Sequence, residues 1–243
     1  MLDLTLFFQP ASPVNAPEGA LYHRVHFSPE SAEEIERNSI CVFHVNEYRG
    51  RGEENQPMLD FRSACYSLFP GQDWNMKIYD LGDMSPGASL TDTYFAVQTV
   101  VAELVKNSCI PVLVGGSMDL LHAVSVGYEV TEQLINICAI DERISLGKPD
   151  EEITSDGYLS SLLLRRPCYL FNHATIGLQP NRNNPMNLDL YDKLYFDVCR
   201  LGAFNADFKL AEPILRNSDI IGMNLEALKA SERMVEEGNP NGF

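Results

Sequence analysis

Short apolar runs alternate along this chain with longer stretches in which apolar positions recur every three or four residues. The runs are SICVFH (39–44), MKIYDL (76–81), IPVLVG (110–115), LINICAI (134–140), CYLFN (168–172) and DIIGMN (219–224). They show little of the polar alternation of a half-exposed strand, so they read as strands covered on both faces, the pattern of a parallel sheet. The intervening segments 57–69, 90–107, 117–133, 156–166, 187–200 and 206–217 predict helices long enough to carry crossover connections. The expected fold is α/β, a three-layer α/β/α arrangement around a mainly parallel sheet, in a single domain over 1–243. No internal repeat interrupts it, and QPNRNNP (179–185) and NPNGF (239–243) are the loop-like polar stretches.

Composition narrows the function classes. The 243 residues carry a formal charge of −16 and a pI near 4.6, which argues against nucleic acid and against anionic membrane surfaces as partners. No apolar stretch approaches the roughly 18 to 20 residues of a membrane span. The opening MLDLTLFFQPASPV lacks the basic start and small-residue cleavage pattern of a signal peptide, so a cytoplasmic protein is expected. The cysteines stand singly among mostly apolar neighbours and read as reduced core residues rather than zinc ligands or redox pairs.

In an open parallel sheet, ligands bind beyond the carboxyl ends of the strands. The segments that follow the apolar runs are HVNEYRGRG (44–52), GGSMD (115–119), DERIS (141–145), NHATIG (172–177) and NLEAL (224–228). They supply Asn46, Glu47, Arg49, Asp119, Asp141, Glu142, Arg143, Asn224 and Glu226, and the reading is that these line one shared cleft. Glu142 is expected to be a solvated carboxylate, His122 a helix-packing or surface residue, and His44 and His173 hydrogen-bonded residues of loops after strands.

The order of these segments resembles the ureohydrolase family of arginases, agmatinases and formimidoylglutamases. The resemblance is to a divergent formimidoylglutamase-like branch, through Asn46, Glu47 and Arg49, PVLVGGS-DL from 111, RLG at 200–202, EPILR at 212–216 and PNGF at the end. It implies an arginase-like fold and, in active members, two manganese ions with a bridging hydroxide that attacks a guanidinium or formimino carbon. It also marks where this chain departs. Met118 takes the place of a histidine, the second ligand turn reads Asp141, Glu142, Arg143, Ile144, Ser145, and the third reads Asn224, Leu225, Glu226. Of those ligand positions, only Asp141 keeps its residue and only Glu226 keeps a carboxylate.

A thioether suits manganese poorly, and a protonated guanidinium has no lone pair to give. The expectation is therefore no metal and no other cofactor, with Glu47, Arg49, Met118, Asp119, Asp141, Arg143, Ser145, Asn224 and Glu226 as binding residues and none catalytic. Arg143 is expected to replace the cations by bridging Asp141 or Glu226, or both. The resemblance further implies a helix and an interior strand beyond PNGF that this sequence does not contain, which would leave two sheet edges unpaired. Three functions follow: a catalytically degenerate ureohydrolase-fold protein that binds a ligand or partner, an amidino C–N hydrolase with altered ligands, or an assembly subunit completed by another chain. Partners left open are a small-molecule ligand and a homo-oligomer.

Overall fold

The computed structural model describes residues 2–53, 60–148, 152–233 and 241–243. They form two compact units, Met1–Thr131 and Glu132–Phe243. The first contains β1 (Phe8–Gln9), β2 (Val25–Phe27), β3 (Ile40–Val45), α1 (Phe61–Tyr66), β4 (Ile78–Met84), α2 (Leu90–Lys106), β5 (Ile110–Val114) and α3 (Leu120–Tyr128). Its sheet runs β1-β4-β3-β5, with β2 also on β4. All pairs are parallel except β1 with β4.

Local chemistry accounts for these elements. Ser89 and Asp92 close a reciprocal capping box at the start of α2, and Thr93, Tyr94, Val97, Val100, Val101 and Leu104 bury one face of that helix, the spacing of an amphipathic helix. Inside β4, Asp80 is fully buried. Arg62 of α1 donates to both its oxygens at 2.7 and 3.0 Å and also to Asp83 at 2.6 Å, while the Tyr66 hydroxyl donates to Asp80 at 2.6 Å. Gly82 sits at φ +101°, and a Cβ there would lie 2.1 Å from the Gln9 carbonyl oxygen. The missing side chain thus lets β1 approach, beside the register shift between Val42 and Phe43.

The second unit contains β6 (Ile135–Ile140), α4 (Tyr158–Leu164), β7 (Leu170–Leu178), α5 (Pro185–Lys193), β8 (Asp197–Arg200), α6 (Leu201–Ala206), α7 (Glu212–Arg216), β9 (Ile220–Met223) and α8 (Ala230–Arg233). Its sheet runs β8-β7-β6-β9 and is wholly parallel. Cys138, Ala174, Ile176, Cys199 and Ala211 form its core with Phe243 packed against them. Phe243 fills the space beside Gly177, whose φ is +95°.

Every expected strand is present, but several boundaries moved. The helix expected over 187–200 ends at Lys193, because Leu194 caps it and Tyr195 turns to φ +57°; residues 197–200 then pair with β7 as β8. The segment 206–217 is broken at Asp207, whose extended backbone and side chain cap a new turn at Phe208–Ala211 before α7. Helix 117–133 contracts to α3, 156–166 to α4, and 57–69 to α1; residues 57–59 lie outside the described residues. The strand seeded at 168–172 continues to Leu178, so His173 lies inside a strand rather than after one. β1 and β2 are too short to leave a periodic signal. Among the described residues no helix is long and apolar enough to cross a membrane.

Both β5 and β9 end their sheets' strand orders. Ile110 and Val112 on β5 are 51% and 38% exposed, and Ile221 and Met223 on β9 are 51% and 46% exposed.

Candidate functional site

Each sheet reverses its strand order once. In the first unit β4 lies on one side of β3 and β5 on the other; in the second β7 lies on one side of β6 and β9 on the other. Such reversals open a crevice beyond the carboxyl ends of the two strands concerned. All the sequence-selected residues fall at these two places: Glu47, Arg49, Met118 and Asp119 after β3 and β5, and Asp141, Arg143, Ser145, Asn224 and Glu226 after β6 and β9.

At the first reversal the loops are tied to each other. Gly115 and Gly116 take φ +91° and +69°, and a Cβ on Gly115 would lie 2.7 Å from His44 Nε2, so the turn after β5 needs glycine there. The Ser117 N–H donates to the Glu47 carbonyl at 3.1 Å. Glu47 is buried, and its carboxylate accepts from Arg49 Nε at 2.9 Å and from the Thr93 hydroxyl at 2.7 Å. Burial alone would raise this carboxyl, but the bonds from Arg49 and Thr93 outweigh it and hold the pKa below its usual value. Arg49 also donates to the carbonyls of Gly87 and Ala88 at 2.9 and 3.1 Å, fastening the approach to α2.

Asp119 is fully buried and accepts from the hydroxyls of Tyr94, at 2.7 Å, and Ser117. Burial pushes its pKa up, against the lowering effect of those two donors. Gly50 lies so close to the Asp119 carboxylate that any Cβ there would overlap it. Met118 is half-buried in the turn. His44 and Asn46 each keep a buried atom, Nδ1 and Oδ1, with no hydrogen-bond partner among the described residues; His44 Nδ1 lies 3.5 Å from Asp83.

At the second reversal Asp141 is buried. One of its oxygens accepts from the Asn224 side-chain amide at 2.9 Å and the other from the Arg143 backbone N–H at 3.1 Å. Asn224 in turn accepts from the Glu226 N–H at 3.0 Å, so one amide spends both ends in the same turn. Burial raises the Asp141 pKa to about 6, with the bonds from Asn224 and from the Arg143 and Glu142 backbones opposing it. Ser145 is buried and its carbonyl accepts from Leu159, while Glu226 is half-buried.

Two expectations fail here. The Arg143 guanidinium bridges neither Asp141 nor Glu226; it is half-exposed and lies 3.4 Å from Glu142. The chain bends once β6 ends at Ile140, so the alternation that would place residues 141 and 143 on one face no longer holds. Glu142 is not solvated but buried, 3.0 Å from Arg182. Sequence reasoning missed Thr93, Tyr94 and Arg182 as partners. The first two sit within a helical pattern and the third in a stretch read as loop, so only tertiary register brings them in. Among the described residues no group of three His, Cys, Asp or Glu side chains could hold a metal ion.

No protein-family model matches the chain, and no curated protein matches its sequence. Solved structures do match. Trypanosoma cruzi formiminoglutamase with Mn2+ superposes with a TM-score of 0.77 at 14% identity, over 94% of this chain and 82% of that one. Formimidoylglutamase from Bacillus subtilis gives 0.76 at 12% identity, over 99% and 81%. The chain has the ureohydrolase fold. A further protein of this fold, a T. brucei arginase-like protein, matches with a TM-score of 0.65 at 15% identity, over 89% and 76%; that structure is a triple mutant, two serines changed to aspartate and an arginine to histidine, bound with Mn2+. Identities this low establish the ureohydrolase fold and leave the chemistry to the residues in place.

Proposed function

We propose that this protein is a catalytically degenerate ureohydrolase-fold protein, which binds a ligand or partner without metal-dependent hydrolysis of C–N bonds. The observation that carries the reading is the Asn224–Asp141 hydrogen bond. A second carboxylate beside Asp141 would call for a cation or a shared proton between them, whereas an amide donates a hydrogen bond and needs neither. The rest of the donor set fits two manganese ions badly. Arg143 brings positive charge, Met118 brings a soft neutral sulfur, and Asp119 is committed to Tyr94 and Ser117. The arginase-like neighbour is bound with Mn2+ in a form where serine and arginine have become aspartate and histidine, the substitutions expected if such residues oppose the metal.

The test is elemental analysis after incubation with Mn2+, followed by assays for urea and formamide release from arginine, agmatine and formiminoglutamate. The expected result is less than one manganese per ten chains and no turnover, while a variant carrying Arg143→His, Ser145→Asp and Asn224→Asp gains manganese. Stoichiometric metal with turnover in the unaltered protein overturns the reading in favour of an amidino hydrolase.

The apolar exposure on β5 and β9 favours a second reading, in which a sheet end pairs with another chain. Mass in solution tests it: a monomer across the micromolar range removes self-association, and a co-purifying partner of fixed stoichiometry supports it.

A further inference from the structure

The four parallel strands of the second unit begin, in sheet order β8-β7-β6-β9, near Asp197, Asn172, Asn136 and Ser218. A polar side chain therefore stands at or beside the amino end of every strand of this sheet. These residues line a cleft of about 410 Å³ together with Phe171 and Asn217, within the roughly 300 to 1,000 Å³ of small-ligand clefts. It lies at the opposite ends of the strands from Asp141 and Asn224, so its occupant and any ligand of those residues would not compete.

Phe171 lies at the start of β7, where the register with β6 shifts and the pairing with β8 has not yet begun, and it is 68% exposed. An aromatic ring left in water at the rim of an amide-lined cleft presents a flat apolar face beside hydrogen-bonding groups. The amides are available: Asn172 donates to Asp197 at 2.7 Å, holding that carboxylate in place and leaving its own carbonyl oxygen turned elsewhere, and Asn217 is exposed. No lysine or arginine lines the cleft, which removes phosphates and carboxylates from consideration. Neutral amides, a hydroxyl and one fixed carboxylate pair with ligand hydroxyls as both donors and acceptors, and a ring packs against a patch of aliphatic C–H.

We propose that this cleft binds a neutral pyranose sugar, its C–H face on Phe171 and its hydroxyls on Asn136, Asn172, Asp197 and Asn217. The test is a two-dimensional NMR titration of the full chain with D-glucose, D-galactose and maltose, with tetramethylammonium as the competing chemistry. The expected result is saturable shifts confined to the amides of these residues for at least one sugar. Phe171→Ala should weaken binding roughly three- to tenfold and Asn217→Ala severalfold. Both positions are exposed, so an unchanged circular dichroism spectrum and melting temperature confirm that the variants fold. The proposal is overturned by shifts that never saturate, by shifts indifferent to Phe171→Ala, or by saturation with tetramethylammonium alone, which would make the cleft a cation site built on Phe171 and Asp197.

Discussion

Asp141 shows what burial at a strand end does to a carboxylate. Its pKa near 6 stands about two units above that of a solvated aspartate. The native state therefore keeps a proton that the unfolded chain releases from about pH 4 upward. Stability from this group is complete below that pH and is lost as pH rises to about 6, by roughly 3 kcal/mol in all. Urea midpoints measured at pH 4, 5, 6 and 7 should show that slope in the parent protein, and Asp141→Asn should flatten it; equal slopes in the two would count against a buried, shifted carboxyl. The position was legible in the sequence because a carboxylate after a buried strand is conspicuous. Asn224 was legible in the same way, but its pairing with Asp141 was not, because 83 residues separate the two. Arg143 misled because its charge was visible while the bend at 141–143 was not.

At the scale of elements, periodicity located β3, β4, β5, β6, β7 and β9 and the centres of α1, α2, α3 and α4, since burial on both faces imposes an apolar run whatever the connectivity. It failed where a single backbone conformation decides. Tyr195 at positive φ converts an expected helix end into a strand entrance, and no pattern of apolar residues announces that. The join between α1 and β4 rests on Arg62 and the buried Asp80. Arg62→Met should lower unfolding free energy by about 3 to 5 kcal/mol, because it strands a desolvated carboxylate; a loss under 1 kcal/mol in equilibrium urea unfolding would mean that Tyr66 and the Gly82 N–H suffice alone. The capping box of α2 makes a smaller claim: Ser89→Ala should cost about 1 kcal/mol in the same measurement, with the folded spectrum unchanged.

Over the whole molecule, the charge of −16 and the α/β class could be read at once, whereas the division into two units, each with its own sheet and its own strand reversal, leaves no mark in composition. The core around His173 extends to a question of chemical reactivity. The Tyr191 hydroxyl lies 3.1 Å from the His173 carbonyl, 2.7 Å from His173 Nδ1 and 2.9 Å from the Thr175 hydroxyl. His173 Nε2 is hydrogen-bonded to the Tyr158 hydroxyl at 3.1 Å. Both ring nitrogens are spoken for, and burial drives the pKa down to about 3. Acylation of the native protein by diethyl pyrocarbonate should therefore count two imidazoles, His23 and His26, which are exposed, and pass over His44, His122 and His173, which are buried. Peptide mass mapping reads that census directly, and as urea is added the appearance of label on His173 would time the opening of the second unit's interior, turning a silent side chain into a reporter of its unfolding.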